Sequence, residues 1–234
     1  FSLSGVSVAL VALSAILVLT LILPNYTTSK PGPFYTTIQL GFVAVISLII
    51  YAAFVLTQTV RHRDYFLPPS ADRDEDTHAE PPNSKTTFVS GMLLLSCLGI
   101  VVLLAKALAP DIEHAIVNVG APKSLVGIII AAVVLLPEGL AAFNAARKNR
   151  LQTSLNLALG SALASIGLTI PAVAIVAMIT GMTITLGIDM KATVLLLLSL
   201  FTIMLSLATS KTNMMQGVVL LVIFATYLFT IIMP

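Results

Sequence analysis

Apolar residues occur along this chain in seven long runs, separated by polar segments. Each run is close to the roughly 20 residues that an α-helix needs to cross the hydrocarbon core of a bilayer. The runs are continuous rather than alternating, which favours helices over the strands of a membrane β-barrel. The predicted helices cover residues 6–23, 37–56, 88–109, 125–146, 152–178, 192–207 and 215–232.

Composition supports a membrane location. The chain has 234 residues, of which 58% are hydrophobic and 9% are charged, whereas soluble domains carry about 25% charged residues. Its mean hydropathy is +1.04. We therefore expect an all-α polytopic membrane protein. The net charge of +2 argues against nucleic-acid binding, and the single cysteine, Cys97, excludes a disulfide framework or a Cys-type metal site.

A polar segment, residues 58–86, separates the first two predicted helices from the other five. Its six acidic residues and four prolines are typical of a solvated linker; a cation-concentrating or regulatory surface is the alternative. With loops assigned to alternate sides, eight of the 12 Lys and Arg residues lie on the side of this linker and of the 147–150 turn. The positive-inside rule then places both in the cytoplasm and the end of the chain outside.

Glu138 lies well inside the fourth predicted helix, whereas the other nine acidic residues lie in polar segments or at their edges. A carboxylate at membrane depth is costly unless it faces a partner, a cavity or a proton. The default interpretation is an ion or proton site; the alternative is a neutral structural carboxylate bonded to a neighbouring helix. Pro137, directly before it, predicts an interruption of the helix.

The fifth predicted helix carries a row of hydroxyls. Because the turn at 147–150 is short, helices four and five are predicted to form an antiparallel hairpin. Ser161, Ser165 and Thr169 are spaced i, i+4 and i+8, which places them on one helical face; we call them the hydroxyl stripe. Gly160 precedes the stripe, and Pro171 follows it and frees a backbone carbonyl. Such a stripe is also common where membrane helices pack together.

These groups have the chemistry of a cation site. Hydroxyl, carbonyl and carboxylate oxygens are ligands that Na⁺ and Ca²⁺ accept, and transporters build sites near the membrane midplane from interrupted helices. A carboxylate such as Glu138 can hold either a proton or a metal ion, which is the minimal requirement of an antiporter.

The stretch LLPEGLAAFNAARKNRLQTSLNLALGSALASIGLTIP, residues 135–171, resembles the second α-repeat of the cation/Ca²⁺ exchanger (CaCA) superfamily. The matching features are the mid-helix Glu138, the short basic turn, the Gly160–Ser161 pair and Pro171. KTNMMQG, residues 211–217, resembles the motif that opens the last helix of that family. Within the superfamily the chain is most similar to the bacterial ChaA-type Ca²⁺(Na⁺)/H⁺ antiporters.

The resemblance implies a sodium/calcium exchanger-like fold, with two inverted five-helix repeats joined by an acidic cytoplasmic loop. Residues 1–57 would be the last two helices of the first repeat, 58–86 the linker, and 87–234 the second repeat with its α-repeat at about 125–178. The first α-repeat and its essential Glu have no counterpart here. Because the chain also begins at Phe1 rather than Met, we expect it to be a fragment of a larger protein.

The resemblance also implies a secondary active transporter of the bacterial inner membrane that exchanges Ca²⁺, Na⁺ or both, with K⁺ as a further candidate, for H⁺. Its partners would be these ions, the lipid bilayer and the N-terminal portion, and no cofactor is expected. Glu138, Ser161 and Ser165 would bind the cation or proton, with Glu138 as the metal ligand. The residues expected to shape the site are Pro137, Gly160, Thr169 and Pro171.

The sequence departs from many vacuolar relatives at two positions, and it leaves other functions open. Gly139 stands where those relatives carry His, and Ala164 where they carry Gln, so the site here is simpler.

The alternative function is a non-transporting scaffold or accessory subunit, because only one carboxylate lies in a predicted span. An enzyme is not expected, because Ser161 and Ser165 have no visible base.

Overall fold

The computed structural model describes residues 1–29, 31–67, 83–118, 120, 122, 124–208 and 211–233. These residues form seven α-helices and no strand. The helices are α1 Leu3–Leu17, α2 Thr37–Leu56, α3 Ser84–Asn118, α4 Ser124–Arg147, α5 Leu151–Thr180, α6 Met190–Leu207 and α7 Met214–Ile232. A π-helical turn, Val18–Ile22, and a 3₁₀ turn, Leu23–Tyr26, extend α1. A π-helical turn, Thr57–Arg61, extends α2, and a 3₁₀ turn, Arg63–Tyr65, follows.

The predicted class and helix count are confirmed. Each of the seven helices, taken with its helical extension, is long and apolar enough to cross a membrane. The protein is therefore an integral, polytopic helical membrane protein. The polar segment predicted as a linker is helical at both ends, over residues 58–61, 63–65 and 84–86. Its residues 68–82 lie outside the described part of the chain.

The predicted end of the third helix at residue 109 is wrong. The helix α3 continues through Pro110 to Asn118 and has 35 residues. Proline removes one backbone hydrogen bond, which the surrounding turns can tolerate. At 1.5 Å per residue, α3 is about 50 Å long, against a hydrocarbon core of about 30 Å. Its last turns, with Asp111 and Glu113, can therefore extend beyond the core.

The predicted interruption at Pro137 is also wrong, because α4 is helical on both sides of this proline. Pro171 likewise lies inside a continuous α5. Each proline still removes one donor from the ladder, so the carbonyls of Val133 and Gly167 lack their usual intrahelical partners. The freed carbonyls therefore persist without a break in either helix.

Two compact units can be distinguished: residues 1–69 with 138–227, and residues 70–137 with 228–234. In the first unit, α5 packs along α1 and α2. Ile16 and Leu163 are completely buried in its largest apolar cluster. A Cβ atom on Gly167 would lie 2.9 Å from the Cβ of Tyr51, so α2 and α5 cross closely at this glycine. In the second unit, α3 exposes most of its apolar side chains, as lipid-facing helices do.

Hydrogen bonds join the end of α1 to the segment that follows α5. The N–H of Gly187 donates to the Pro33 carbonyl over 3.2 Å, and that of Ile188 donates to the Leu21 carbonyl over 3.0 Å. The Tyr35 hydroxyl donates to the Leu19 carbonyl over 2.6 Å. Because a π-helical turn disrupts the usual helical ladder, the Ile188 and Tyr35 donors supply partners to two carbonyls of that turn.

Candidate functional site

The side chain of Glu138 makes few contacts in this structure. It lies on α4 with its side chain exposed, and a Cβ atom added to the neighbouring Gly139 would meet no heavy atom within 4 Å. Its carboxylate forms no hydrogen bond or ion pair with another described residue. Among the described residues, Glu138 is therefore not bonded to a neighbouring helix.

The hydroxyl stripe lies on the side of α5 that faces away from α1 and α2. Ser161, Ser165 and Thr169 each follow a buried residue of the helix by two positions, or about 200° of rotation. Those buried residues are Leu159, Leu163 and Gly167. Ser161 is half-buried, whereas Ser165 and Thr169 are exposed. The predicted common face is therefore present, and packing against α1 and α2 does not occupy it.

The hydroxyls of the stripe also differ in their bonding from many other helical hydroxyls here. Thr20, Ser47 and Thr202, for example, each donate to the carbonyl four residues earlier, over 2.7 to 2.8 Å. The three hydroxyls of the stripe form no hydrogen bond within the described ranges. Since a hydroxyl in lipid needs a partner, their oxygens are available to an ion, to water or to another segment.

The residues expected to shape the site leave it accessible. Pro137 is exposed, and Gly160 and Pro171 are half-buried. A Cβ atom added to Gly160 would meet nothing within 4 Å. The space beside Gly160, the residue before the stripe, therefore remains open.

The structure brings the three hydroxyls together but does not bring Glu138 into hydrogen-bonding contact with them. The connection between α4 and α5 is short, as predicted. The Arg150 N–H donates to the Ala145 carbonyl over 2.9 Å, and Asn149 adopts a φ of 59°. Among the described residues, no group of three or more His, Cys, Asp or Glu side chains could hold a metal ion. The assignment of Glu138, Ser161 and Ser165 to one site stays a prediction.

Two amide side chains at the start of α5 were not predicted from the sequence. Gln152 is 3% exposed, and its Nε2 donates to Asn156 Oδ1 over 3.0 Å. Both residues belong to the helix of the stripe but lie on its packed side. The signal that could have revealed them is their i, i+4 spacing at the polar end of an apolar helix.

The fold defines a polytopic helical membrane protein, and two of its spans carry a carboxylate and hydroxyls that form no hydrogen bond among the described residues. The family described as sodium/calcium exchanger protein matches residues 89–233, more than half of the chain. The chain belongs to this family, which confirms the predicted resemblance.

The relatives include bacterial and plant proteins. The chain is 40% identical over 238 residues to the putative ionic transporter y4hA of Sinorhizobium fredii and covers 63% of that protein. It is 32% identical over 232 residues to the sodium-potassium/proton antiporter ChaA of Escherichia coli, again covering 63%. It is 31% identical over 188 residues to the vacuolar cation/proton exchanger 1 of Arabidopsis thaliana, covering 40%. The chain thus spans less than two thirds of each relative, and no solved structure matches it significantly.

Proposed function

We propose that this chain is part of a secondary transporter of the bacterial inner membrane that exchanges a cation for protons. The observation that carries the proposal is Glu138, a carboxylate inside a span with no partner among the described residues. The names of two relatives, a sodium-potassium/proton antiporter and a vacuolar cation/proton exchanger, support it. The cation would be Ca²⁺, Na⁺ or both, with K⁺ as a further candidate.

In this mechanism Glu138 holds a proton and a cation in turn. A proton neutralises the carboxylate and so lowers the free-energy cost of exposing it to lipid or to a dry cavity. The cation lowers the same cost by direct coordination. Ser161 and Ser165 supply neutral oxygens. The transported ions are substrates, and no cofactor is required.

These groups are too few to surround a cation. Glu138 offers two oxygens and each serine one, whereas Ca²⁺ typically takes about 6–8. The remaining ligands would come from water, from backbone carbonyls and from a second carboxylate on a first α-repeat. A site shared with such a repeat accounts for the open face of the hydroxyl stripe and agrees with the share of its relatives that the chain covers.

The test is Glu138→Gln in the whole protein, carried in everted membrane vesicles. Dissipation of a pH gradient by added Na⁺, K⁺ or Ca²⁺ measures exchange. We expect the substitution to abolish exchange while the amount of protein in the membrane stays unchanged, because glutamine cannot alternate between proton and cation. Asp189→Asn is the matched control: Asp189 accepts a hydrogen bond from the Ala192 N–H at the start of α6, and asparagine can keep this cap.

Two results would contradict the proposal. Normal proton-coupled cation flux in the Glu138→Gln protein would remove the assigned role of this carboxylate. Absence of exchange in the unsubstituted protein with all three cations would favour the alternative, a membrane scaffold or accessory subunit.

A further inference from the structure

A chain of three hydrogen bonds, one within α5 and two to distant segments, connects the first turns of α5 to Ser2 and Phe66. The Ser2 N–H donates to Gln152 Oε1 over 2.5 Å. Gln152 Nε2 donates to Asn156 Oδ1 over 3.0 Å, and Asn156 Nδ2 donates to the Phe66 carbonyl over 2.7 Å. Ser2 directly precedes α1, and Phe66 follows the 3₁₀ turn at the start of the linker. We call these bonds the amide chain.

The amide chain has a fixed direction. Its first group, the Ser2 N–H, can only donate, and its last group, the Phe66 carbonyl, can only accept. Gln152 and Asn156 must therefore each accept one bond and donate another, which a primary amide does and an ionised carboxylate does not. Because Gln152 is 3% exposed, a polar atom left without its partner there would be costly.

Apolar contacts also fix the part of the linker that contains Phe66. We call this part, residues 63–67, the linker base. Phe66 is 8% exposed and meets the ring of Phe54 edge-on, with centroids 5.9 Å apart. A Cβ atom added to Gly5 would overlap the carbonyl of Tyr65. Phe66 shares its apolar cluster with residues of α1, α2 and α5, so the linker base is packed against all three helices.

The amide chain sets the position of α5. The start of this helix has no side-chain N-cap hydrogen bond, and Gln152 and Asn156 bind it to neighbouring segments instead. They continue the buried row of Leu159 and Leu163 towards the start of the helix, at spacings of four, three and four. If α5 shifted along its axis or rotated about it, the hydroxyl stripe on its opposite side would move with it. Binding sites depend on the placement of their ligands to within about 0.5 Å.

We propose that Gln152 and Asn156 are positioning residues of the exchanger: they fix α5 against Ser2 and the linker base and thereby place Ser161 and Ser165 for cation binding. Neither amide touches the cation. This inference rests on the proposed function for its effect on transport, but the restraint on the linker base can be measured without transport.

The transport test is Asn156→Asp in the whole protein, assayed as cation-dependent dissipation of a pH gradient. Aspartate keeps the shape but places an acceptor against the Phe66 carbonyl. We expect the half-saturating cation concentration to rise about fivefold, the equivalent of one ordinary hydrogen bond, with little change in the maximal rate. Asn156→Gln keeps donor and acceptor but lengthens the side chain by one methylene group, so it should raise half-saturation less than aspartate does.

Two further variants make this result interpretable. Asn144→Asp, an exposed position near the end of α4, introduces the same charge without touching the amide chain and should leave half-saturation unchanged. Asn156→Ala removes the donor without adding charge and should raise half-saturation as aspartate does, even if aspartate impairs insertion. An unchanged value in both Asn156→Asp and Asn156→Ala would overturn the positioning role.

The structural test uses spin labels on cysteines placed at Asp64 and Ser154, with Cys97→Ser to remove the native thiol. We expect a narrow distance distribution in the otherwise unsubstituted protein and a broader one when Asn156→Asp is added. A broad distribution without that substitution would overturn the restraint itself. Normal exchange in Glu138→Gln together with a narrow distribution would instead contradict only the proposed function.

Discussion

Two glycines of α5, seven residues apart and therefore on the same side of the helix, differ in what surrounds them. Gly167 lies where α5 crosses α2, and a side chain there would press against Tyr51. Gly160 lies beside the hydroxyl stripe, and a side chain there would enter open space. The first glycine permits close packing; the second leaves room beside the predicted site.

Substitution of each glycine by alanine should therefore have different results. Gly167→Ala should lower the stability of the protein in detergent by about 1–3 kcal/mol, because the added methyl group overpacks the crossing. Gly160→Ala should leave stability unchanged or higher, because alanine is the better helix former, but should slow exchange. Thermal unfolding and vesicle transport measure the two effects. Equal stability losses in both variants would show that the close crossing of α2 and α5 does not cause the loss in Gly167→Ala.

At the scale of the element, the end of α1 depends on a group outside the helix. The Tyr35 hydroxyl donates to the Leu19 carbonyl inside the π-helical turn, and burial raises the pKa of this phenol above its ordinary value. Burial disfavours the phenolate, so the folded protein holds the proton more tightly than the unfolded chain does.

Tyr35→Phe should remove this bond and lower stability by about 1 kcal/mol near neutral pH. The contribution of the phenol is complete below its ordinary pKa of about 10 and is lost as pH rises through the raised pKa of the folded protein. The difference in melting temperature between the two proteins should therefore shrink in strongly alkaline solution. A difference that stays constant across that range would contradict a titrating phenol as its source.

The elements could be predicted from the sequence much more completely than their contacts. Seven helices follow from seven apolar runs, because a buried backbone in lipid has few alternatives to a helix. Local signals misled at Pro110 and Pro137, where helices tolerate a missing donor. The shared face of Ser161, Ser165 and Thr169 followed from helical periodicity alone. The bonds of Gln152 and Asn156 could not be predicted, because their partners lie 150 and 90 residues away.

At the scale of the whole molecule, the Lys and Arg distribution predicts which side of the membrane each connection faces. Lys148 lies in the turn before α5, and Lys191 lies in the first turn of α6. Since α5 crosses the membrane once between them, they should lie on opposite sides.

Single cysteines at these two positions, in a protein that also carries Cys97→Ser, test the orientation. A maleimide that cannot cross the membrane should label position 191 in intact cells, and position 148 only in everted vesicles. The reverse pattern would mean that the linker and the 147–150 turn lie outside. Labelling of both positions from one side would contradict α5 as a single span.

The packing of α5 between helices made much earlier has a consequence for biosynthesis. The first turns of α5 bind Ser2 and Phe66, and its middle crosses α2 at Tyr51. Because α1 and α2 precede α5 in the sequence, they leave the ribosome before this partner helix is made. During that interval the faces of α1 and α2 that later pack against α5, with Ile16 among them, must be covered by lipid, by a membrane chaperone or by other inserted helices. Assembly of such distant contacts is intrinsically slow, so α1 and α2 spend this interval as an unfinished intermediate in the membrane.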